Sequence, residues 1–263
     1  MLKLILYYYV AKELVLYNFT DLHCHALFNV DDGARNEEMS YRMLDSAYND
    51  GIKTICFTPH FKIHHFASNE EIESFNTAVQ KSFSILQSYA QSKYPDLNLL
   101  LGNEIMFHND ICESLSAEKC RFIGETKYLL IEFRPETPYF EIKNTISKVT
   151  RRGFLPIIAH VERYDALVNN FKLFDELKEL GAVLQVNAQS ISKFKIGRTA
   201  NFIRKIFKKS MVDIVCTDAH DDKLICPNLS NSYKLVCKMI GKDRADLIYF
   251  ENPTKIVNNE RII

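Results

Sequence analysis

From residue 20 onward, short apolar runs rich in Ile, Val, Leu and Phe alternate with longer amphipathic stretches. That rhythm restricts the chain to repeated βα units around a parallel sheet, whose strands are buried on both faces while each helix buries only one. The strand candidates are Thr20–Cys24, Lys53–Thr58, Leu97–Asn103, Tyr128–Phe133, Leu155–His160, Ala182–Val186 and Asp213–Thr217. Helices are expected near 35–50, 70–92, 138–152, 166–180, 199–210 and 228–240, and glycines at 51, 153 and 181 stop three of them. Seven strands are too few for a regular eight-fold barrel and suit a distorted one.

No proline-rich or serine-rich linker, repeat or low-complexity tract divides the chain, so 20–263 reads as one domain. Residues 1–19 read as an N-terminal extension that packs on the body or on a partner. Its apolar start, through Val10, is interrupted by Lys12 and Glu13, is too short to span a bilayer and lacks a small-residue cleavage site. Seven cysteines with no C-x-x-C, an odd number without a convincing signal peptide, point to a reducing, cytoplasmic setting.

Composition removes several functions. Lys plus Arg and Asp plus Glu both number 33, with no long run of either sign, which argues against nucleic acid as a partner. The eight glycines form neither G-x-G-x-x-G nor G-x-x-x-x-G-K, so dinucleotide and P-loop readings fail. No cysteine is followed six residues later by arginine, which excludes the cysteine-phosphatase signature.

What remains stands at the strand ends. Strand one ends in Asp21-Leu-His23-Cys-His25, two in Thr58-Pro-His60, three in Gly102-Asn-Glu104, four in Ile131-Glu132-Phe133, five in Ala159-His160 and the last in Thr217-Asp218-Ala-His220. Six of seven strands thus bring a histidine or carboxylate to the rim where barrel active sites are built. In extended chain, positions i and i+2 share a face, so His23 with His25, and Asp218 with His220, make two chelating arms. Imidazole and carboxylate without thiolate suit Mn²⁺, Fe²⁺ or Zn²⁺. His64, His65 and His108 fall in loops and are left out of the site. Asp31-Asp32-Gly33 serves either as turn and helix N-cap or in ligation.

Together these motifs, with Ala159-His-Val-Glu-Arg163-Tyr, resemble the polymerase and histidinol phosphatase (PHP) superfamily, and within it the CpsB/CapC-type bacterial protein-tyrosine phosphatases. The resemblance covers about residues 20–258, and His160 to Leu167 and Asn252-Pro-Thr-Lys-Ile-Val are its most specific parts. It implies a single-domain α/β fold, a distorted (β/α)₇ TIM-like barrel. It also implies two or three ions, usually Mn²⁺, with Zn²⁺, Fe²⁺ or Mg²⁺ as other candidates. The implied role is control of capsule or exopolysaccharide synthesis by dephosphorylating a bacterial tyrosine autokinase. Carried over by position, His23, His25, Glu104 and Asp218 would hold one metal. Glu104 would bridge to a second, also held by Glu132 and His160, and Asp32, His60 and His220 would hold a third.

In such a cluster two metals can share a water and aim it at phosphorus, so the nucleophile is hydroxide rather than a side chain. Glu104 and Asp218 are then catalytic through the metals. Arg163, three residues past His160, either forks onto the remaining phosphate oxygens or forms a rim salt bridge with Glu162 or Asp165. The sequence departs from the family after His220. Asp221-Asp-Lys223-Leu-Ile-Cys-Pro227 lacks the usual second phosphate-binding arginine, so Lys223 stands in for it or the grip is looser. The twenty-odd residues ahead of His23 also depart from the pattern, as an added helix, a partner contact or an upstream start would. The rival readings are a small-molecule phosphatase such as a histidinol-phosphate enzyme and a non-catalytic metal-binding scaffold; the oligomeric state, a homo-oligomer included, stays open.

Overall fold

The computed structural model describes residues 17–108, 115, 119–193 and 197–262. Most of the expected N-terminal extension, residues 1–16, lies outside them, as does Cys112. Of the extension's end, Tyr17 stacks on Phe19 at 4.6 Å between ring centroids and meets Tyr233 edge-on at 5.3 Å, so this part packs on the body.

The strands are β1 (Phe19–Cys24), β2 (Ile52–Phe57), β3 (His60–Phe61), β4 (Asn98–Leu101), β5 (Glu104–Met106), β6 (Tyr128–Glu132), β7 (Leu155–Ile158), β8 (Val183–Asn187) and β9 (Ile214–Cys216). All pair in parallel, in the orders β1-β2-β4 and β3-β5-β6-β7-β8-β9. The two ends meet where Cys24 pairs with Ala219. There Ala219 O accepts from His25 N at 2.8 Å and His23 O accepts from Asp218 N at 2.9 Å. The result is the distorted (β/α)₇ barrel, with seven stations around the ring.

The expected third strand is broken. Gly102 and Asn103 separate β4 from β5, which belong to different sheets. Gly102 N donates to Phe57 O at 2.8 Å, and a Cβ on Gly102 would stand 3.1 Å from Cys56 Sγ. Asn103 turns its side chain to Pro59 O at 3.1 Å and to Arg121 N at 2.8 Å. The second station is split in the same way, since Pro59 has no N–H for a ladder between β2 and β3.

The helices are α1 (Glu37–Asp50), α2 (Asn69–Lys93), α3 (Tyr139–Arg151), α4 (Phe171–Glu179), α5 (Ala188–Lys193), α6 (Arg198–Lys208), α7 (Ser230–Ile240), α8 (Lys242–Asp246) and α9 (Asn252–Val257). The helix expected over 166–180 begins only at Phe171, because the chain after β7 first makes short 3₁₀ turns, Val161–Arg163 and Asp165–Leu167. Alternation sets the core. On β6, Tyr128 and Leu130 join an inner cluster with Leu155, Ile157, Val183 and Ile214, while Leu129 and Ile131 pack outward beneath the helices. Ile256 of α9 also belongs to the inner cluster, and Asn252 Nδ2 donates to Asp213 O at 2.8 Å, which seats α9 against the barrel.

Candidate metal centre

The strands deliver the expected side chains to one place. His23 is the penultimate residue of β1 and His25 follows the strand; both are buried. His60 and Glu104 face each other in register at the starts of β3 and β5. Glu132 ends β6, His160 follows β7, and Asp218 and His220 follow β9. His160 and Asp218 both hold left-handed backbone, with φ of 32° and 53°. For non-glycine residues that conformation is costly and persists only where neighbours enforce it.

Glu104 is the hub. Its Oε1 lies 3.3 Å from His23 Nε2 and 3.0 Å from His160 Nε2, and its Oε2 lies 3.3 Å from His25 Nε2 and 2.9 Å from His60 Nδ1. His23 Nε2 and His25 Nε2 stand 3.1 Å apart, and Asp218 Oδ1 is 3.2 Å from the first and 3.5 Å from the second. Glu132 approaches His160 Nε2 at 3.5 Å and His60 Nδ1 at 3.6 Å. Asp32, largely exposed, reaches His60 Nε2 at 3.4 Å and His220 Nε2 at 3.6 Å. Three groups of donors able to share an ion result: His23, His25, Glu104 and Asp218; His60, Glu104 and Glu132; and His25, Asp32, His60 and His220. His60 therefore turns one ring nitrogen toward each of two groups.

Arg163 is drawn to the centre rather than to either neighbour considered from sequence: its Nη2 donates to Asp218 Oδ2 at 2.8 Å, and nearly half of the side chain is exposed. Lys223 is exposed on the turn after His220, where its N–H donates to Asp221 Oδ1; no contact joins it to the centre among the described residues. His64 and His65 lie in a 3₁₀ turn and, with His108, belong to none of the three donor groups. The Asp31-Asp32-Gly33 segment does not cap α1. Asn36 does so, its side chain accepting from Met39 N at 2.9 Å. Asp31 instead makes the turn, accepting from Gly33 N at 3.0 Å, and accepts from His25 Nδ1 at 2.8 Å and His60 N at 3.0 Å.

Sequence reasoning missed the outer layer. Asp21 bonds Thr217 twice, from N at 2.9 Å and from Oγ1 at 2.5 Å, and so clamps β1 to β9. Gln185 and Asn187, buried on β8, bond one another and reach His23, His160 and Asp218. The signal was present: Gln185-Val-Asn187 repeats at the sixth strand end the i, i+2 spacing of His23/His25 and Asp218/His220.

Charge completes the picture. Burial would raise Glu104, yet His23, His160 and His25 hold it well below the ordinary carboxylate range. Burial would also raise Asp218, which His23 and His25 keep well below its usual value. Burial alone would lower the His23 imidazole, but Glu104 and Asp218 raise it to about 10, and Glu104 and Glu132 raise His160 to about 9. The cavity collects negative charge and holds positive charge tightly. The thiols of Cys24, Cys56 and Cys216 are pushed well up by burial and offer no nucleophile.

These donors fit divalent metal ions. Bonds of about 2.1 Å to a common ion put neighbouring ligand atoms roughly 3.0–3.4 Å apart, close to the spacings around Glu104. Glu104 Oε2, Glu132 Oε2 and the Nδ1 atoms of His60 and His160 are buried without a hydrogen-bond partner. His60 Nδ1 faces Glu104 Oε2 at 2.9 Å with no hydrogen bond between them, a contact that a shared cation satisfies.

Residues 19–258 match the family described as capsular polysaccharide synthesis, CpsB/CapC. The chain is 32% identical over 247 residues to the tyrosine-protein phosphatase CpsB of Streptococcus pneumoniae, covering 92% of this chain and 99% of that protein. It is 26% identical over 242 residues to the tyrosine-protein phosphatase YwqE of Bacillus subtilis, covering 92% of each. Among solved structures it superposes with a TM-score of 0.78 and 25% identity, over 93% of this chain and 96% of the other, on one from a study of YwqE and CpsB described as unique metal-dependent tyrosine phosphatases.

Proposed function

The chain belongs to the capsular polysaccharide synthesis CpsB/CapC family, and on that premise we propose that it is a metal-dependent protein-tyrosine phosphatase acting on a tyrosine-phosphorylated bacterial kinase. The observation that carries this reading is Glu104, a buried carboxylate surrounded by four imidazole nitrogens with Asp218 and Glu132 alongside. His23, His25, Glu104 and Asp218 would hold one ion, Glu104 with Glu132 and His160 a second, and Asp32, His60 and His220 a third. Mn²⁺ suits this mixture of imidazole and carboxylate without thiolate.

When bound, such ions lower the pKa of water and withdraw charge from phosphoryl oxygens. The protein's own groups do the rest. Glu104 and Asp218 stay ionised in the buried site and fix the spacing of the donors. Arg163 keeps one nitrogen on Asp218 and has further N–H groups at the half-exposed mouth, where they can fork onto the phosphate. Loss of a tyrosyl phenolate, whose conjugate acid has a pKa of about 10, needs little protonation, so no general acid is assigned. In the cell the reading places the enzyme in the cytoplasm, in control of capsule or exopolysaccharide synthesis. No helix among the described residues is long and apolar enough to cross a membrane.

The test is phosphate release from a phosphotyrosine peptide and from histidinol phosphate, using metal-stripped protein with and without restored Mn²⁺. Release from the peptide that depends on Mn²⁺ is expected. Release from histidinol phosphate alone, or from neither with metal bound, overturns the reading.

A further inference from the structure

We propose that Gln185 and Asn187 are positioning residues of the metal centre: a directional amide relay that fixes the tautomer of His23 and holds His160 and Asp218 in their left-handed backbone. It rests on the metal reading above and concerns β8, the one of the seven stations that brings no proposed ligand.

The relay can be traced bond by bond. His160 N–H donates to Gln185 Oε1 at 2.7 Å, Gln185 Nε2 donates to Asn187 Oδ1 at 2.7 Å, and Asn187 Nδ2 donates to Asp218 Oδ2 at 2.6 Å. A backbone N–H can only donate and a carboxylate can only accept, so the two ends force the orientation of both amides between them. His23 Nδ1 lies 3.3 Å from Gln185 Oε1, which is thereby an acceptor. In the neutral ring that a metal ligand must be, Nδ1 therefore carries the hydrogen and Nε2 presents its lone pair to the centre. Asp31 does the same for His25 through its Nδ1 at 2.8 Å. With both Nδ1 atoms protonated in neutral rings, the facing Nε2 atoms, 3.1 Å apart, repel unless a proton or a metal ion lies between them.

The backbone gives independent support. The relay ends on the two ligand residues with positive φ, His160 and Asp218. It is also tied to the segment after β7, because Asn187 N donates to Glu162 Oε1 at 3.1 Å. On Asp218, Asn187 and Arg163 take up Oδ2 and leave Oδ1 to face His23 and His25. Gln185 and Asn187 are almost wholly buried, and their uncharged amides add nothing to the charge of the site.

The experiment is calorimetric titration of the metal-stripped full chain with Mn²⁺ alone, for the wild type and for Gln185→Met, Gln185→Glu and Asn187→Ala, each checked for folding by circular dichroism. Gln185→Met, which has no strong acceptor, and Asn187→Ala should bind about 10- to 100-fold more weakly. Gln185→Glu still accepts from both N–H groups but cannot donate to Asn187 Oδ1, so it should keep the His23 tautomer, lose the link to Asp218 and bind between the wild type and Gln185→Met. In Zn²⁺-loaded protein the His23 Nδ1–H resonance should exchange slowly in the wild type and in Gln185→Glu. A folded Gln185→Met or Asn187→Ala that binds as the wild type does overturns the relay, and so does Gln185→Glu binding no better than Gln185→Met. Should Gln185→Met fail to fold, Asn187→Ala and Gln185→Glu decide by the same criteria. Wild-type protein that binds no Mn²⁺ fails the metal reading itself, a result distinct from a working centre indifferent to the relay.

Discussion

Arg163 Nη2 donates to Asp218 Oδ2 across 2.8 Å, while the same carboxylate turns Oδ1 to His23 and His25. The arginine proposed to grip phosphate and the aspartate proposed to face the metals are therefore one unit. Asp218 holds the guanidinium at the mouth, and a bound phosphate there would be read by the group that also screens Asp218.

Arg163→Ala should weaken handling of substrate more than it weakens metal binding. A charge-assisted hydrogen bond is worth about 1.5–3 kcal/mol, so kcat/KM on a phosphotyrosine peptide should fall about 10- to 150-fold. Arg163→Lys should recover only part, because an ammonium cannot fork. Steady-state kinetics alongside Mn²⁺ titration checks this; kinetics close to wild type would remove Arg163 from the mechanism.

Glu104→Gln should nearly abolish turnover, by about a thousandfold or more in kcat, with the fold intact. The amide keeps the shape but removes the negative charge that four imidazole nitrogens converge upon, and its NH₂ offers hydrogens where lone pairs are needed. Circular dichroism with single-turnover phosphate release separates this outcome from misfolding.

The rim was legible because strand ends can be read closely: period-2 alternation puts His23 with His25 in one donor group, whereas Asp218, left-handed beyond the end of β9, falls in a different donor group from His220. What escaped depends on contacts between distant segments. The break at Gly102-Asn103 follows from the approach of Phe57, Pro59 and Arg121, none adjacent in sequence. Asp31 could be placed in a turn, but its bond to His25 Nδ1 needs the chain to fold back over β1. Gln185 and Asn187 carry no charge and look like ordinary polar strand residues until His160 and Asp218 are brought against them.

Metal binding should release protons, and affinity should rise with pH. In the ion-free site His23 and His160 are raised to about 10 and about 9, so both hold protons at neutral pH that an incoming ion must displace. Titrations with Mn²⁺ in two buffers of different ionisation enthalpy should show net proton release at pH 7, and binding should tighten toward pH 9. Stability of the ion-free protein should run the other way. A raised histidine contributes fully below its unfolded pKa of about 6.5, and that contribution is lost as pH climbs through 9 and 10. The ion-free Tm should therefore fall between pH 7 and 10 by more than that of the loaded protein, and an equal response in both would contradict the assignment.

Gly33→Ala tests how tightly the turn is pressed onto the site. A Cβ at this position would stand 2.0 Å from the carbonyl oxygen of His25 and 2.7 Å from its Cβ, far inside contact distance, and both obstacles are close to the backbone. The turn must then lift away, and with it Asp31, whose Oδ1 accepts from Gly33 N and whose Oδ2 accepts from His25 Nδ1 and His60 N. Asp32, the most exposed of the proposed ligands, sits between the two and moves with them. The expected result is a chain that still folds, melts several degrees lower and binds Mn²⁺ about tenfold or more weakly, since supporting groups around ligands contribute that much. Thermal melts with and without Mn²⁺ distinguish local from global damage. If the loss in Tm is the same in both, the turn supports only the fold; a larger loss in the loaded protein shows that the turn presses His25 and His60 into the centre.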